Sequence, residues 1–446
     1  MTLSYKYGVS VERVSAEKVR AEVMNDLSVL LMEPLRSTES VRLLKIRDCP
    51  MISFPSGAEQ WFQKVRYLCE LNLERLQNLE SLPYFSSLEI LHMIDVPRLQ
   101  MLSCIPISLK HLRLEKLESL QDLPSFRDDS SLKILYIIDA PKLQQLPNIP
   151  SSLEQLWLER LESLQILPSF REDSSLKILH VEKVPLLRLL PEIPASLEHL
   201  EIKLLESLQH MPLSFSKSSL KILHVKDVLQ LRLLPEIPAS LKHLRLEYLE
   251  SLQRLPSFSV DTSLEILRVE KVPLLRLLPE IPASLKSLWL EYLESLRWLP
   301  ISLSYSSLES LDIKMVPQLQ LLPPKIPTTL RRLELMNLES LQCLPSSLLD
   351  VSSLEYLSLE SIPNLKSLPD LPPSLSDLTL KKLDQLDCLP SCFSNLYSLT
   401  HISILEVCKL RELPDPPPSV KFLSISGCHP ELLERNKEYS GSDGWL

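Results

Sequence analysis

A repeat protein of the α/β type, dominated by a curved parallel β-sheet with an extended or 3-10 back, is the fold class that this sequence predicts. Three observations predict it. The string L-x-x-L-x-[LIV] returns at short, nearly fixed intervals along most of the chain. Each copy is followed by a second string, L-x-x-L-x-x-L-P, with some variation. Glycine is nearly absent while proline is abundant, 5 against 37 in 446 residues.

Taken from the N-terminus, residues 1–40 lack the clear repeat and read as a cap or a degenerate repeat. Within them Ala16–Met24 is a candidate short helix and Leu27–Met32 a degenerate strand. The repeat domain spans residues 41–426, its first leading position at Val41 and its last at Val420, about eighteen units, most of them 20–24 residues apart. That interval is the leucine-rich-repeat interval, and the fold is a leucine-rich-repeat solenoid. From Leu109 to Leu308 the spacings alternate between 23 and 21, so the true period is their sum, 44. One half reads SLKHLRLEYLESLQRLPSFSVDT (240–262) and the other SLKILHVEKVPLLRLLPEIPA (175–195). Copies this similar imply duplication of a two-repeat unit. Residues 427–446, GCHPELLERNKEYSGSDGWL, turn polar and read as a C-terminal cap, which an apolar solenoid end requires.

The physics of one unit follows from its spacing. In L-x-x-L-x-[LIV] the apolar residues alternate, so they share one face of a short strand. The next leucines are three apart and end at Leu-Pro, where proline cannot donate to a ladder and holds its predecessor extended. The return segment is therefore expected to be extended or loosely 3-10, since units of 21–23 residues leave little room for a helix. A single unit cannot cover its own leucines, so neighbours must stack into a continuous core. Most interior units place an apolar residue after the strand, for example Leu117, Leu161, Val184 and Val272, where an asparagine or cysteine is usual. Only Cys49 and Cys428 keep the usual type.

Composition excludes several function classes. Residues 58–426 contain no glycine, so neither G-x-x-x-x-G-K-[ST] nor G-x-G-x-x-G is present and a nucleotide fold has no footing. A net charge of −9 without a basic block argues against nucleic acid as partner. Eight cysteines are scattered without a C-x-x-C; Cys388 and Cys392, four apart, read as buried small apolar side chains rather than half a metal site. The N-terminus has no apolar stretch of signal-peptide length, no stretch approaches a membrane span, and no N-x-[ST] sequon occurs. A cytoplasmic, intracellular location is the expectation.

The residues two, four and six after each leading leucine should face away from the core, on the concave side of the sheet. At the fourth position the expected partner-binding set is Arg113, Tyr136, Trp157, His180, His224, Arg245, Arg268 and Trp289, with Ile90, Ile134, Ile178, Ile222 and Ile266 at the second position of alternate strands. Rings and guanidinium groups interleaved with isoleucine match the composition of binding hot spots. The plainer alternative is that these side chains only pack laterally and stabilise the sheet. His180, His199, His224 and His243 lie on separate strands, equivalent ones about 10 Å apart, too far to share an ion. Glu115, Glu159, Glu247 and Glu291 recur in every other unit without a partner base and read as a solvated charged rim. No catalytic residue, metal or cofactor is expected.

The segment LSVLLMEPLRSTESVRLLKIRDCPMISFPSGAEQWFQKVRYL (27–68) resembles the repeat region of plant intracellular nucleotide-binding leucine-rich-repeat receptors of the coiled-coil type. The ending ISGCHPELLER (425–435) is similar to their terminal repeat, with Asn436 where the family often has cysteine, and Ser442 to Trp445 is an imperfect version of the closing motif. No P-loop, kinase-2 aspartate motif or M-H-D string is present, so the NB-ARC domain is absent and nucleotide binding is not carried over. The resemblance implies a protein-binding module of disease resistance, recognising a pathogen effector or a host target, or restraining a receptor's nucleotide-binding domain. The alternative is an adaptor or scaffold unrelated to defence, for example in protein turnover. An effector-type ubiquitin ligase would need a helical catalytic domain after the repeats, and this chain ends about twenty residues past the last one.

Overall fold

The alternation of apolar residues in each copy of the first string does produce a strand, and in every copy. The computed structural model describes residues 2–5, 9–15, 18–24, 41–55, 60–62, 65, 67–85, 87–102, 104–259 and 261–435. Each of the eighteen leading positions opens or precedes a short strand, from β4 (Val41–Arg47) and β5 (Glu70–Glu74) to β21 (Phe422–Ser426). Most read half-buried, buried, half-buried, buried, half-buried along their five residues, the signature of a sheet with one face on a core. This is a leucine-rich-repeat β-solenoid with almost no helix among the described residues.

The chain divides into two compact units, Met1–Leu220 and Lys221–Leu446. In the first, β9 (Gln155–Glu159) lies in parallel register between β8 (Ile134–Ile138) and β10 (Ile178–Glu182), with Trp157 opposite Tyr136 on one side and His180 on the other. In the second, β13 (His243–Glu247), β14 (Ile266–Glu270), β15 (Ser287–Glu291) and β16 (Ser310–Lys314) pair in the same way. The core runs behind the sheet. In the turn that starts at Leu176, Leu176, Leu179, Val181, Val184 and Leu187 are all fully buried. Each contributes roughly 1.5–3 kcal/mol of gross burial, which only stacking makes available.

The return segments follow the expectation of extended and 3-10 backbone. The 21-residue halves close through a tight turn in which the next leading leucine donates to a proline carbonyl, as Leu153 N–H does to Pro150 O at 3.1 Å and Leu285 N–H to Pro282 O at 3.1 Å. Several longer turns carry a 3-10 segment after proline: Leu213–Lys217, Ile301–Tyr305, Ser346–Asp350 and Ser391–Asn395 follow Pro212, Pro300, Pro345 and Pro390.

How the post-strand turn is satisfied without asparagine has a backbone answer. The residue seven after each leading position takes a positive φ in all eighteen units, from Asp48 at 55° to Glu406 at 57°, and only the last, at 61°, is a glycine, Gly427. In this conformation the N–H points along the stack to the following strand's last carbonyl: Lys116 to Ile138 and Asp139 to Glu159, both 2.9 Å. The next residue repeats the pattern, Leu117 N–H to Asp139 O at 3.0 Å and Leu249 N–H to Lys271 O at 3.1 Å. A ladder between turns replaces the side-chain bonds, so the slot after it is free to bury leucine or valine.

Two expectations are corrected, and a third falls outside the described residues. Ala16–Met24 is not a helix: β3 (Lys18–Met24) pairs antiparallel with β2 (Val9–Ser15), itself paired with β1 (Thr2–Tyr5), and parallel with β4. Val19, Ala21 and Val23 alternate with charge at period two, and Ala21 and Val23 are fully buried. Leu27–Met32 lies outside the described residues, as do Asn436 and the 442–445 motif. Cys388 is exposed and Cys392 only part-buried; Cys388 stands thirteen after Leu375, a position that is exposed in most turns. The helix Pro430–Arg435, α1, follows Gly427 and Cys428 at the end of the stack.

Candidate functional site

The open face of the sheet is where the repeat puts its variable side chains, and the two units carry two different arrangements. In the first unit Tyr136, Trp157 and His180 stand on three adjacent strands and stack: ring centroids are 5.6 Å apart for the first pair and 4.5 Å for the second, with interplanar angles of 29° and 26°. His180, the last ring of the stack, is buried at 6% exposure, its Nδ1 2.9 Å from Glu201 Oε2 and its Nε2 3.6 Å from Glu182. The indole Nε1 of Trp157 is buried and has no acceptor among the described residues. At the end of the row Arg113 turns along its own strand to Glu115 at 2.6 Å.

In the second unit the fourth-position row around Glu247 is charged rather than stacked. Glu247 collects His224 (3.6 Å), Lys226 (3.7 Å) and Arg268 (3.7 Å). Arg268 also pairs with Glu270 at 2.7 Å and lies 4.9 Å from the Trp289 ring, whose other neighbour is Lys314 at 4.8 Å. Trp289 Nε1 donates to Glu291 Oε2 at 3.0 Å. Arg245, opposite His224 on one side and Arg268 on the other, is the exposed member of the row.

Farther along, Asp312 and Glu334 face each other on adjacent strands, both nearly buried. Asp312 accepts from Ser310 Oγ at 2.8 Å and from Arg332 Nε at 3.4 Å. Burial pushes the Asp312 carboxyl above its ordinary value despite these bonds. Burial works on Glu334 in the same direction, yet hydrogen bonds from Lys314 (2.7 Å) and Arg332 (2.5 Å) outweigh it and hold that carboxyl low. The pair is a charge-neutral network closed on itself.

The eight sequence-derived residues thus reach the expected face, but not equally. Arg113, Tyr136, Trp157, His224, Arg268 and Trp289 are half-buried against lateral neighbours, His180 is buried, and Arg245 alone of the eight is fully exposed. The isoleucines at the second position are half-buried as well. The glutamates expected as a solvated rim are half-buried partners instead: Glu115 of Arg113, Glu159 of Arg160, Glu247 of His224 and Arg268. They line the sixth position beside the basic fourth, close enough to neutralise it. Among the described residues no group of three or more histidine, cysteine or acidic side chains could hold a metal ion, and no helix is long and apolar enough to cross a membrane.

A second row of exposed side chains lies outside the strands and was not among the expected site residues. Thirteen residues after the leading leucine the side chain points outward from the back of the stack, and there Met101, Ile166, Leu189, Leu233, Leu277, Trp298 and Leu321 are exposed. The signal was present in strings such as LLRLLP, which hold more leucines than the three-residue inward period can use: Leu187 and Leu190 are buried, Leu186 and Leu189 are not.

No protein-family model matches the chain, and no curated protein matches it. Solved structures do. A leucine-rich-repeat protein of Leptospira interrogans is 20% identical, with 94% of this chain and 93% of that one covered at a TM-score of 0.50. YopM, a leucine-rich effector protein from Yersinia pestis, is 26% identical over 74% of this chain and 86% of its own at 0.45. The Toll–Spätzle complex of Drosophila is 15% identical over 95% and 60% at 0.48. The first carries the leucine-rich-repeat fold; none assigns a partner.

Proposed function

We propose that this chain is a non-catalytic recognition module that binds a protein across the open face of the sheet, and that it serves plant innate immunity inside the cell. Its partner is then a pathogen effector, a host target, or the nucleotide-binding domain of a receptor. The observation that carries the reading is the Tyr136–Trp157–His180 platform, an aromatic surface on rigid strands whose central indole N–H is buried without an acceptor among the described residues. A buried donor of this kind is unfavourable by about 1–3 kcal/mol until something accepts from it. Arg245, exposed in the other unit, adds a cation that the sheet has not neutralised. Rigid aromatic and arginine anchors are what protein interfaces use. The plant assignment rests on the strings at 27–68 and 425–435.

The experiment is a comparison of the full chain with Tyr136→Ala and Arg245→Glu in co-precipitation from leaf tissue expressing candidate effectors and nucleotide-binding domains. A partner retained by the wild type and lost by either variant supports the reading. Partners retained equally by all three remove the sheet face from recognition, and binding confined to proteins outside immunity removes the plant-defence assignment.

A further inference from the structure

The back of the second unit holds a second surface, and its chemistry differs from that of the sheet. Leu233, Arg254, Leu277, Trp298 and Leu321 occupy the same outward position on five successive turns, with Leu277 at 56% exposure and Trp298 at 48%. One residue earlier on three of those turns stand Arg232, Arg276 and Arg297, all exposed. Each of the four arginines, Arg254 included, lies beyond 4.0 Å of any carboxylate among the described residues, in contrast to Arg268 and Arg332 on the sheet face.

The alternation of short backbone bridges shifts at the same place. Short parallel bridges join Leu233 to Arg254 and Trp298 to Leu321, but among the described residues none joins Leu277 to either neighbour. Two adjoining clefts of about 500 and 540 Å³ lie there, one walled by Arg254, Leu255, Leu274 and Leu278, the other by Arg297, Trp298 and Glu294, with Arg276 and Leu277 between them. Three arginines and one carboxylate therefore frame two apolar hollows.

We infer that this ridge is a docking site for an extended, acidic peptide segment of another protein, one that alternates leucine-like side chains with aspartate or glutamate. The apolar side chains enter the two clefts while the carboxylates meet Arg254, Arg276 and Arg297, which gives those cations the partners that the fold withholds. A bilayer surface fits less well, because the Glu294 carboxylate stands in one of the hollows and would lose its water against lipid. The site is separate from the sheet face and does not depend on what binds there.

The test uses the full chain and a fluorescein-labelled ten-residue peptide alternating leucine with aspartate, read by anisotropy, with the leucine–lysine peptide as counterpart. The expected result is saturable binding of the acidic peptide only. Arg276→Glu with Arg297→Glu should weaken it by about tenfold or more, and Leu277→Ser alone by a similar factor, equivalent to roughly 1.4 kcal/mol. Arg245→Glu on the sheet face should leave it unchanged, so failure here and failure of the sheet-face reading are separable. Circular dichroism checks that each variant folds; all the substituted side chains are exposed. Absence of binding at millimolar peptide, equal binding of the lysine peptide, or indifference to the arginine reversal overturns the proposal. So does sedimentation with phosphatidylserine vesicles that the same reversal abolishes, accompanied by no peptide binding.

Discussion

Replacing Lys116 by glycine should make the protein more stable, although glycine is normally the destabilising choice. Lys116 sits at φ 55°, exposed, with its N–H 2.9 Å from Ile138 O. A residue with a Cβ is unfavourable by about 1–2 kcal/mol in this left-handed region, and glycine loses about 0.5–1 kcal/mol through the extra freedom of its unfolded chain. The difference leaves about 0.5–1 kcal/mol in favour of Lys116→Gly. Lys116→Val, β-branched, should move the other way by about 1 kcal/mol or more. The mirror case is Gly427→Ala, where φ is 61° and a Cβ would lie 3.1 Å from Glu406 Cγ; it should destabilise by about 1 kcal/mol. Urea unfolding followed by tryptophan fluorescence measures all three, compared by midpoint because stacked repeats need not unfold in one step. Glycine and valine shifting the midpoint in the same direction at Lys116 would refute the claim that backbone strain, not side-chain contact, sets the energy of this turn.

Trp157→Ala removes both stacked neighbours, each such pair being worth about 0.5–1.5 kcal/mol, so a loss of about 1–3 kcal/mol is expected in thermal unfolding; no loss would mean the stack is incidental. Leu267→Ala, at a fully buried position, should destabilise by about 2–5 kcal/mol, and a smaller effect would show that the turns relax around a cavity. Asp312 titrates above its ordinary value in the fold, so it favours the folded state at acid pH and loses that contribution as pH rises through the raised value. Asp312→Asn should therefore gain stability relative to wild type at pH 8 compared with pH 4; the opposite trend would show that Arg332 and Lys314 more than offset its burial.

The strands were legible because a period of two is written directly in the leucines, and Leu176, Leu179 and Val181 need no tertiary knowledge to be placed inward. The fourth-position row was legible for the same reason. Its burial was not. Whether His180 is buried and Arg245 exposed depends on what the adjacent strand carries, Trp157 and Glu201 in one case and a second arginine in the other. The strand at Lys18–Met24 was masked by a charge pattern compatible with a helix, and only pairing with Val41–Arg47 decides it. The left-handed turn was invisible because the residue that usually announces it is present only at Gly427.

Duplication offers a sharper reading of both faces. The segments 240–256 and 284–300 are two copies of one half-unit, and of their seventeen positions only four differ: His243/Ser287, Arg245/Trp289, Gln253/Arg297 and Arg254/Trp298. No buried position is among them. Relaxed selection on exposed residues would scatter changes over all such positions, yet Lys242/Lys286 and Glu250/Glu294 are unchanged. The differences fall in two pairs, one on the sheet face and one on the ridge, the two proposed binding surfaces. Converting the later ridge pair into the earlier, Arg297→Gln with Trp298→Arg, should leave stability within about 0.5 kcal/mol, since nothing in the core is touched. The same exchange should weaken the acidic peptide measurably while sparing sheet-face binding, and a variant that bound the peptide as tightly as the wild type would return the divergence to chance.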